Sequence, residues 1–132
     1  MQDYSIFIIW KPEYDLGIPI IDEQHKGVVS IINSLYYGMK NNYVKGFLEP
    51  TINMLREYTQ IHFQVEESFF TASDFPDAKS HIELHQALMS KLAEVGRKSI
   101  LDKDPYQLMD FLKEWWINHI CKTDMLYKDY LV

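Results

Sequence analysis

The sequence predicts an all-α fold, an up-down-up-down antiparallel four-helix bundle with an N-terminal arm, in one domain of residues 1–132. First, four stretches of about 20 residues place apolar side chains at alternating steps of three and four, the spacing of helices that pack in a bundle. Second, the connections between these stretches are short, which favours antiparallel neighbours. Third, the hydrophobic content of 47% is enough for a buried core in a chain of 132 residues.

The composition argues against several classes of function. With 13 basic and 19 acidic residues, the net charge is −6, and no basic run offers a surface for nucleic acid or anionic membranes. Cys121 is the only cysteine, so a disulfide framework and a CxxC motif are excluded. No segment reaches the roughly 18 apolar residues of a transmembrane helix, and the N-terminus shows no signal-peptide pattern. We therefore expect a soluble, cytoplasmic protein.

The first two elements are an arm and a helix. Residues 1–19 contain too many helix breakers and turn formers for a helix, namely Pro12, Gly17 and Pro19. We expect this arm to cover the bundle core. The first helix spans about residues 20–41, and its apolar seam consists of Ile21, His25, Val28, Ile32, Leu35 and Met39. Gly38 and Asn41 with Asn42 mark its predicted end.

The next two helices follow the same spacing. The second spans about residues 50–71, and its seam consists of Ile52, Leu55, Thr59, His62, Glu66 and Phe69. Pro50 either starts this helix or kinks an earlier turn. After a turn at 73–76, the third helix spans about residues 76–96, with a seam of Ala78, His81, His85, Leu88, Leu92 and Val95. Gly96 marks its predicted end.

The fourth helix is predicted over about residues 105–128. Asp104 is a suitable N-cap, and Pro105 occupies the first helical position, where proline is favoured. The seam consists of Leu108, Leu112, Trp115 and His119.

All five histidines lie in these seams, where apolar residues belong. One histidine on an apolar face is usually a hydrogen-bonded core residue. Five would need many partners, and few buried Ser, Thr or Asn are available. His62 and Glu66 are four residues apart, as are His81 and His85, so each pair points to one side of its helix. A buried carboxylate also needs a cation or a proton. Together these observations predict a metal site.

The ligand types narrow the choice of metal. Structural zinc sites prefer thiolates, and calcium and magnesium prefer oxygen ligands. Glu83 lies two residues from both His81 and His85, so the zinc-protease reading of this segment fails. Iron accepts imidazole and carboxylate together, and five histidines suit two irons better than one. Asp124 lies about 140° round an ideal helix from His119, so spacing alone does not select it as a ligand. Either a local loosening near the helix end or a carboxylate that reaches sideways between two irons is needed.

Four blocks of the sequence match one known family. They are W-x3-Y-x2-G-x4-D-x2-H over residues 10–25, HFQVEE at 62–67, H-x3-H at 81–85 and WWINHICKTD at 115–124. On these blocks, which cover nearly the whole chain, the protein resembles the hemerythrins, and especially the bacterial single-domain members.

The resemblance implies a non-haem di-iron centre. The ligands it implies are His25, His62, Glu66, His81, His85, His119 and Asp124. His81, His85 and His119 would hold one iron, and His25 and His62 would hold the other. Glu66 and Asp124, together with an oxo or hydroxo group, would bridge the two irons. The iron with two histidines would keep an open position for dioxygen. Glu67 is expected to lie outside the ligand set or at the surface.

The resemblance also implies a dioxygen pocket and a function. The matching pocket positions are Phe63, Trp115, Trp116 and Ile120, which could equally serve as core packing. The implied function is reversible O2 binding for storage, delivery or sensing, without catalysis. The main alternative is a di-iron enzyme acting on peroxide, nitric oxide or ferrous iron. A metal-free bundle or an iron store is the third possibility.

Trp116 departs from the family pattern, in which this position commonly holds leucine. We predict that its bulk narrows or gates the open iron position. Trp116→Leu should therefore change the rates of O2 association and autoxidation, which stopped-flow and spectral decay measurements report. Rates equal to those of the parent protein would contradict this role.

Overall fold

The computed structural model describes residues 8–41, 46–115 and 118–119, and most of these residues are helical. A 3-10 turn, Pro12–Tyr14, comes first. The four helices are α1 (Pro19–Asn41), α2 (Leu48–Thr71), α3 (Ala78–Asp102) and α4 (Tyr106–Trp115). Each helix packs against the next one along the chain. The predicted all-α four-helix bundle is confirmed. In the described ranges, no helix is long and apolar enough to cross a membrane.

The N-terminal arm is held to α1 at two points. The Asn33 amide donates to the Ile8 carbonyl (2.9 Å) and accepts from the Ile8 N–H (2.8 Å). The Asp22 carboxylate accepts from the N–H groups of Leu16 (2.8 Å) and Gly17 (3.1 Å). Gly17 has a φ of 84°, which glycine adopts without a steric penalty. Ile8 and Leu16 are buried, so the part of the arm that the structure describes, from residue 8, covers the core.

The predicted seams supply most of the core. Their buried apolar members are Ile21, Val28, Ile32, Leu35, Ile52, Leu55, Leu92, Leu108, Leu112 and Trp115. The prediction for the end of the α2 seam was wrong by one residue, because Phe70 is buried and Phe69 only half-buried. Phe70 lies four residues after Glu66, which itself lies four after His62, so all three share one face of the helix.

Two glycines that were predicted to mark helix ends lie inside helices. A Cβ at Gly96 would lie 2.9 Å from Cγ2 of Ile52, and one at Gly38 would overlap the ring of Phe47. These glycines therefore serve the close approach of neighbouring groups and not a turn. Helix α3 continues past Gly96 to Asp102, and the capping residue Lys103 adopts the left-handed conformation with φ 53°.

The first residues of α2 and α4 show the roles of Pro50 and Asp104. Helix α2 begins two residues before Pro50, so this proline lies in the first turn, where an N–H group has no partner within the helix. At the start of α4, the Asp104 carboxylate accepts from the Tyr106 N–H (3.0 Å), which agrees with its predicted role as a cap. Beyond α4, Asn118 and His119 have π-helical backbone, which is wider than an α-helix.

The end of α3 makes a testable prediction. A lysine in the left-handed region costs about 1 kcal/mol relative to glycine. Lys103→Gly should therefore raise the free energy of unfolding by roughly 0.5–1 kcal/mol in urea denaturation. Lys103→Ala keeps the Cβ and should leave the free energy nearly unchanged. Equal effects of the two substitutions would contradict the left-handed helix end.

Candidate metal centre

Five histidines and one glutamate meet inside the bundle. Their side chains are His25 from α1, His62 and Glu66 from α2, His81 and His85 from α3, and His119 beyond α4. None is more than 3% exposed. The spacing of four residues on α2 and α3 directs both members of each pair inwards, as the sequence predicted.

Glu66 lies between two groups of histidines. Its Oε2 atom is 3.4 Å from Nε2 of His25 and 3.3 Å from Nε2 of His62. Its Oε1 atom is 3.1 Å from Nε2 of His85 and 3.9 Å from Nε2 of His81. Each carboxylate oxygen thus faces a different group, and this orientation suits a carboxylate that bridges two cations.

The potential ligand atoms form two clusters. One consists of Glu66, His81, His85 and His119, and the other of His25, His62 and Glu66. Within each cluster these atoms lie within 4.8 Å of one another. The division matches the one that the sequence resemblance implies. Asp124, the remaining predicted ligand, lies outside the described residues.

The protonation state of Glu66 favours cation binding. Burial raises the pKa of this carboxyl group, but the positive potential of His62 and contacts with the imidazoles of His25 and His85 outweigh burial. The pKa of Glu66 is therefore held well below its usual range. The group stays ionised at neutral pH, and an ionised carboxylate is a good ligand for a metal ion.

The buried nitrogen atoms also fit a metal. Among the described residues, Nε2 of His62 and Nε2 of His85 have no hydrogen-bond partner, which is unfavourable in a core. Nδ1 of His62 lies 2.8 Å from Oε1 of Gln24, and Nδ1 of His85 lies 3.2 Å from Oε2 of Glu67. With a proton on Nδ1 shared with these oxygens, each imidazole can offer the lone pair on Nε2 to a metal in the centre. These residues therefore fit a metal cofactor.

An aromatic wall encloses the centre on one side. The ring of Phe63 stacks on His85, with the centroids 3.7 Å apart and the planes 4° from parallel. It also makes edge contacts with His119 (5.7 Å) and with Trp115 (6.2 Å). Phe63 and Trp115 are both buried. The other two predicted pocket residues, Trp116 and Ile120, lie outside the described residues.

The sequence analysis did not assign three residues that contact this centre. Phe70 and Phe75 pack against His81, with ring centroids 5.0 and 6.1 Å away. Phe70 continues the row of four-residue steps on α2, and that spacing could have identified it. Gln24 and Phe75 reach the centre through tertiary contacts, which leave no mark in local spacing. Glu67, expected to lie outside the ligand set, contacts His85.

A groove between α3 and α4 reaches His119 from the surface. Its volume is about 250 Å³, and much of its lining is apolar, from Leu84, Leu88, Phe111 and Trp115. The groove is large enough for a diatomic molecule.

Comparison with known proteins relates the chain to one family. The family model of the "Hemerythrin HHE cation binding domain" matches residues 16–131. Bacteriohemerythrin of Clostridium acetobutylicum is 29% identical in an alignment of 127 positions, and the alignment covers 92% of this chain and 98% of that protein. The hemerythrin-like protein of Naegleria gruberi is 29% identical over 122 residues, which are 92% of each chain.

Solved structures show the same fold. Two crystal structures of hemerythrin, in which one leucine is replaced by alanine or by tyrosine, align with TM-scores of 0.79 and 0.80. Each alignment has 23% sequence identity and covers 96% of this chain and 98% of the other. This likeness supports the four-helix arrangement.

The position of Glu66 makes a prediction about metal content. Because its two oxygens face both groups of histidines, Glu66→Ala should lower the iron content from two per chain to well below one. The iron content is measured after anaerobic loading with Fe(II) and gel filtration. Glu57 is an exposed carboxylate on the same helix, and Glu57→Ala should keep two irons. An unchanged iron content in Glu66→Ala would contradict the bridging position.

Proposed function

The chain belongs to the hemerythrin HHE cation-binding family, and on that premise we propose that it binds dioxygen reversibly at a di-iron centre. The observation that carries this proposal is the orientation of Glu66. One of its oxygens faces His25 and His62, and the other faces His81 and His85. A carboxylate shared in this way would be a ligand available to both irons of a pair.

The ligand roles are part of the proposal. We assign His81, His85 and His119 to one iron, His25 and His62 to the other, and Glu66 to both. Asp124 is the proposed second bridging carboxylate. Two irons held by these residues would supply the electrons that reversible dioxygen binding requires. The group with two histidines has one nitrogen ligand fewer, so the open position for a small ligand belongs on that side.

The protein contributes an apolar environment around this centre. Phe63 and Trp115 are buried beside the ligand histidines and exclude water from that side. Exclusion of water and protons favours release of intact dioxygen over its irreversible reduction. The surface groove reaches His119, so it gives small molecules access to the three-histidine side of the centre. Trp116 and Ile120 are proposed to complete the wall.

These features favour binding over turnover. The proposed partner is dioxygen, and storage, delivery and sensing all fit the same site. The alternative of a di-iron enzyme for peroxide, nitric oxide or ferrous iron would use the same ligands. The cytoplasmic location stays a prediction from the sequence.

The central experiment is a dioxygen titration of the iron-loaded, anaerobically reduced protein, followed by visible absorption. We expect a stable spectrum on addition of O2 that reverses when O2 is removed under argon. The metal-free protein is the control and should show no change. Rapid decay to the diferric spectrum, with turnover of added peroxide, would contradict carriage and assign the protein to the enzyme alternative.

A further inference from the structure

His62 and His85, two of the proposed ligands, each contact another side chain through Nδ1, the ring nitrogen that faces away from the centre. One of these side chains is neutral and the other is a carboxylate. Nδ1 of His62 contacts the side-chain oxygen of Gln24 at 2.8 Å, and Nδ1 of His85 contacts the carboxylate of Glu67 at 3.2 Å. His62 belongs to the group with two histidines, and His85 to the group with three. The amide is neutral, whereas a carboxylate carries a full negative charge at neutral pH.

Gln24 is held in place by its own contacts. The hydroxyl of Tyr58 donates to the backbone carbonyl of Gln24 at 3.2 Å. A Cβ at Gly27 would overlap that hydroxyl, so the glycine makes room for this contact. Burial, together with the charge of Glu23, raises the pKa of Tyr58, so the hydroxyl keeps the proton that it donates. The backbone that carries the partner of His62 is thereby fixed.

Glu67 directs its charge towards His85. The side chain is 29% exposed, and in the described part of the chain no lysine or arginine forms an ion pair with it. A carboxylate that accepts the Nδ1 proton pushes electron density into the imidazole and makes it a more basic ligand. An amide oxygen that accepts the Nδ1 proton fixes the same ring orientation but makes the imidazole less basic than a carboxylate does. The reason is that hydrogen bonds to ionised acceptors are about twice as strong.

We propose that Gln24 and Glu67 are positioning residues that make the two irons unequal, so that the iron held by His81, His85 and His119 loses the first electron. This inference rests on the proposed di-iron function. A more basic imidazole stabilises Fe(III) relative to Fe(II). The iron on the Gln24 side then remains Fe(II) longer.

The corresponding redox step is simple. One ferricyanide ion takes one electron from one Fe(II), which gives one Fe(III) and one ferrocyanide ion, and no bond to the protein forms or breaks. The two irons of each chain are oxidised in two such steps. The separation between the steps reports how unequal the irons are.

The first test needs no iron. In protein loaded with diamagnetic Zn(II), which takes the Nε2 lone pairs, the Nδ1 ¹⁵N and proton chemical shifts of His62 and His85 should show hydrogen-bonded Nδ1–H groups. Gln24→Leu should abolish this hydrogen bond in His62 alone, and Glu67→Leu in His85 alone. Each leucine variant should also bind iron about 10- to 100-fold more weakly. Unchanged ¹⁵N shifts in the variants would overturn the positioning role.

The second test separates charge from orientation. Glu67→Gln keeps an oxygen acceptor and removes the charge, so in a ferricyanide titration the equilibrium constant for loss of the first electron should fall about tenfold. Gln24→Glu should favour oxidation of the iron held by His25 and His62, so the two oxidation steps should lie closer together in the titration. Glu57→Gln removes the same charge from an exposed position on α2 and should leave both steps unchanged.

The outcomes distinguish this inference from the proposed function. If Glu67→Gln titrates like Glu57→Gln while two irons remain bound, the inference about charge is overturned and the di-iron function stands. If the parent protein binds fewer than two irons, the proposed function and the redox half of the inference fail together. The ¹⁵N shifts still decide the positioning role in that case.

Discussion

Glu66 brings a negative charge into the middle of the bundle, where burial alone would favour its protonated form. The surrounding imidazoles reverse that preference and lower its pKa. An ionised carboxylate surrounded by imidazole nitrogens is in turn a strong binding site for cations. The organisation of the centre depends on this one group, because each of its oxygens faces a different set of histidines. A metal pair satisfies the carboxylate and the buried nitrogen atoms at once.

The fold serves this arrangement through close and regular helix packing. Each helix presents one apolar row to the core, and polar ligands replace apolar residues at the level of the centre. Gly96 brings α3 close to Ile52 of α2, so the two helices that carry Glu66, His81 and His85 run close together. Asp22 ties the N-terminal arm to the start of α1, three residues before His25. The helix packing and the arm thus help to position the proposed ligand residues.

Periodicity explains how much could be predicted from the sequence. It identified the helices and the inward pairs on α2 and α3, because spacings of three and four residues have a direct geometric meaning. The prediction that α3 ends at Gly96 was wrong, because this glycine allows close helix packing, and sequence alone does not distinguish that role from a helix end. Periodicity could not find Gln24, whose contact with His62 joins residues 38 positions apart. The π-helical backbone at His119 is a local loosening, one of the two ways in which the proposed role of Asp124 could be met.

The shared carboxylate is tested most directly by crystallography of the iron-loaded protein, with anomalous scattering recorded at the iron absorption edge. The account predicts two anomalous peaks per chain, one on each side of the Glu66 carboxylate. The first should lie beside His25 and His62, and the second beside His81 and His85. A single peak, or two peaks that share no contact with Glu66, would contradict the account.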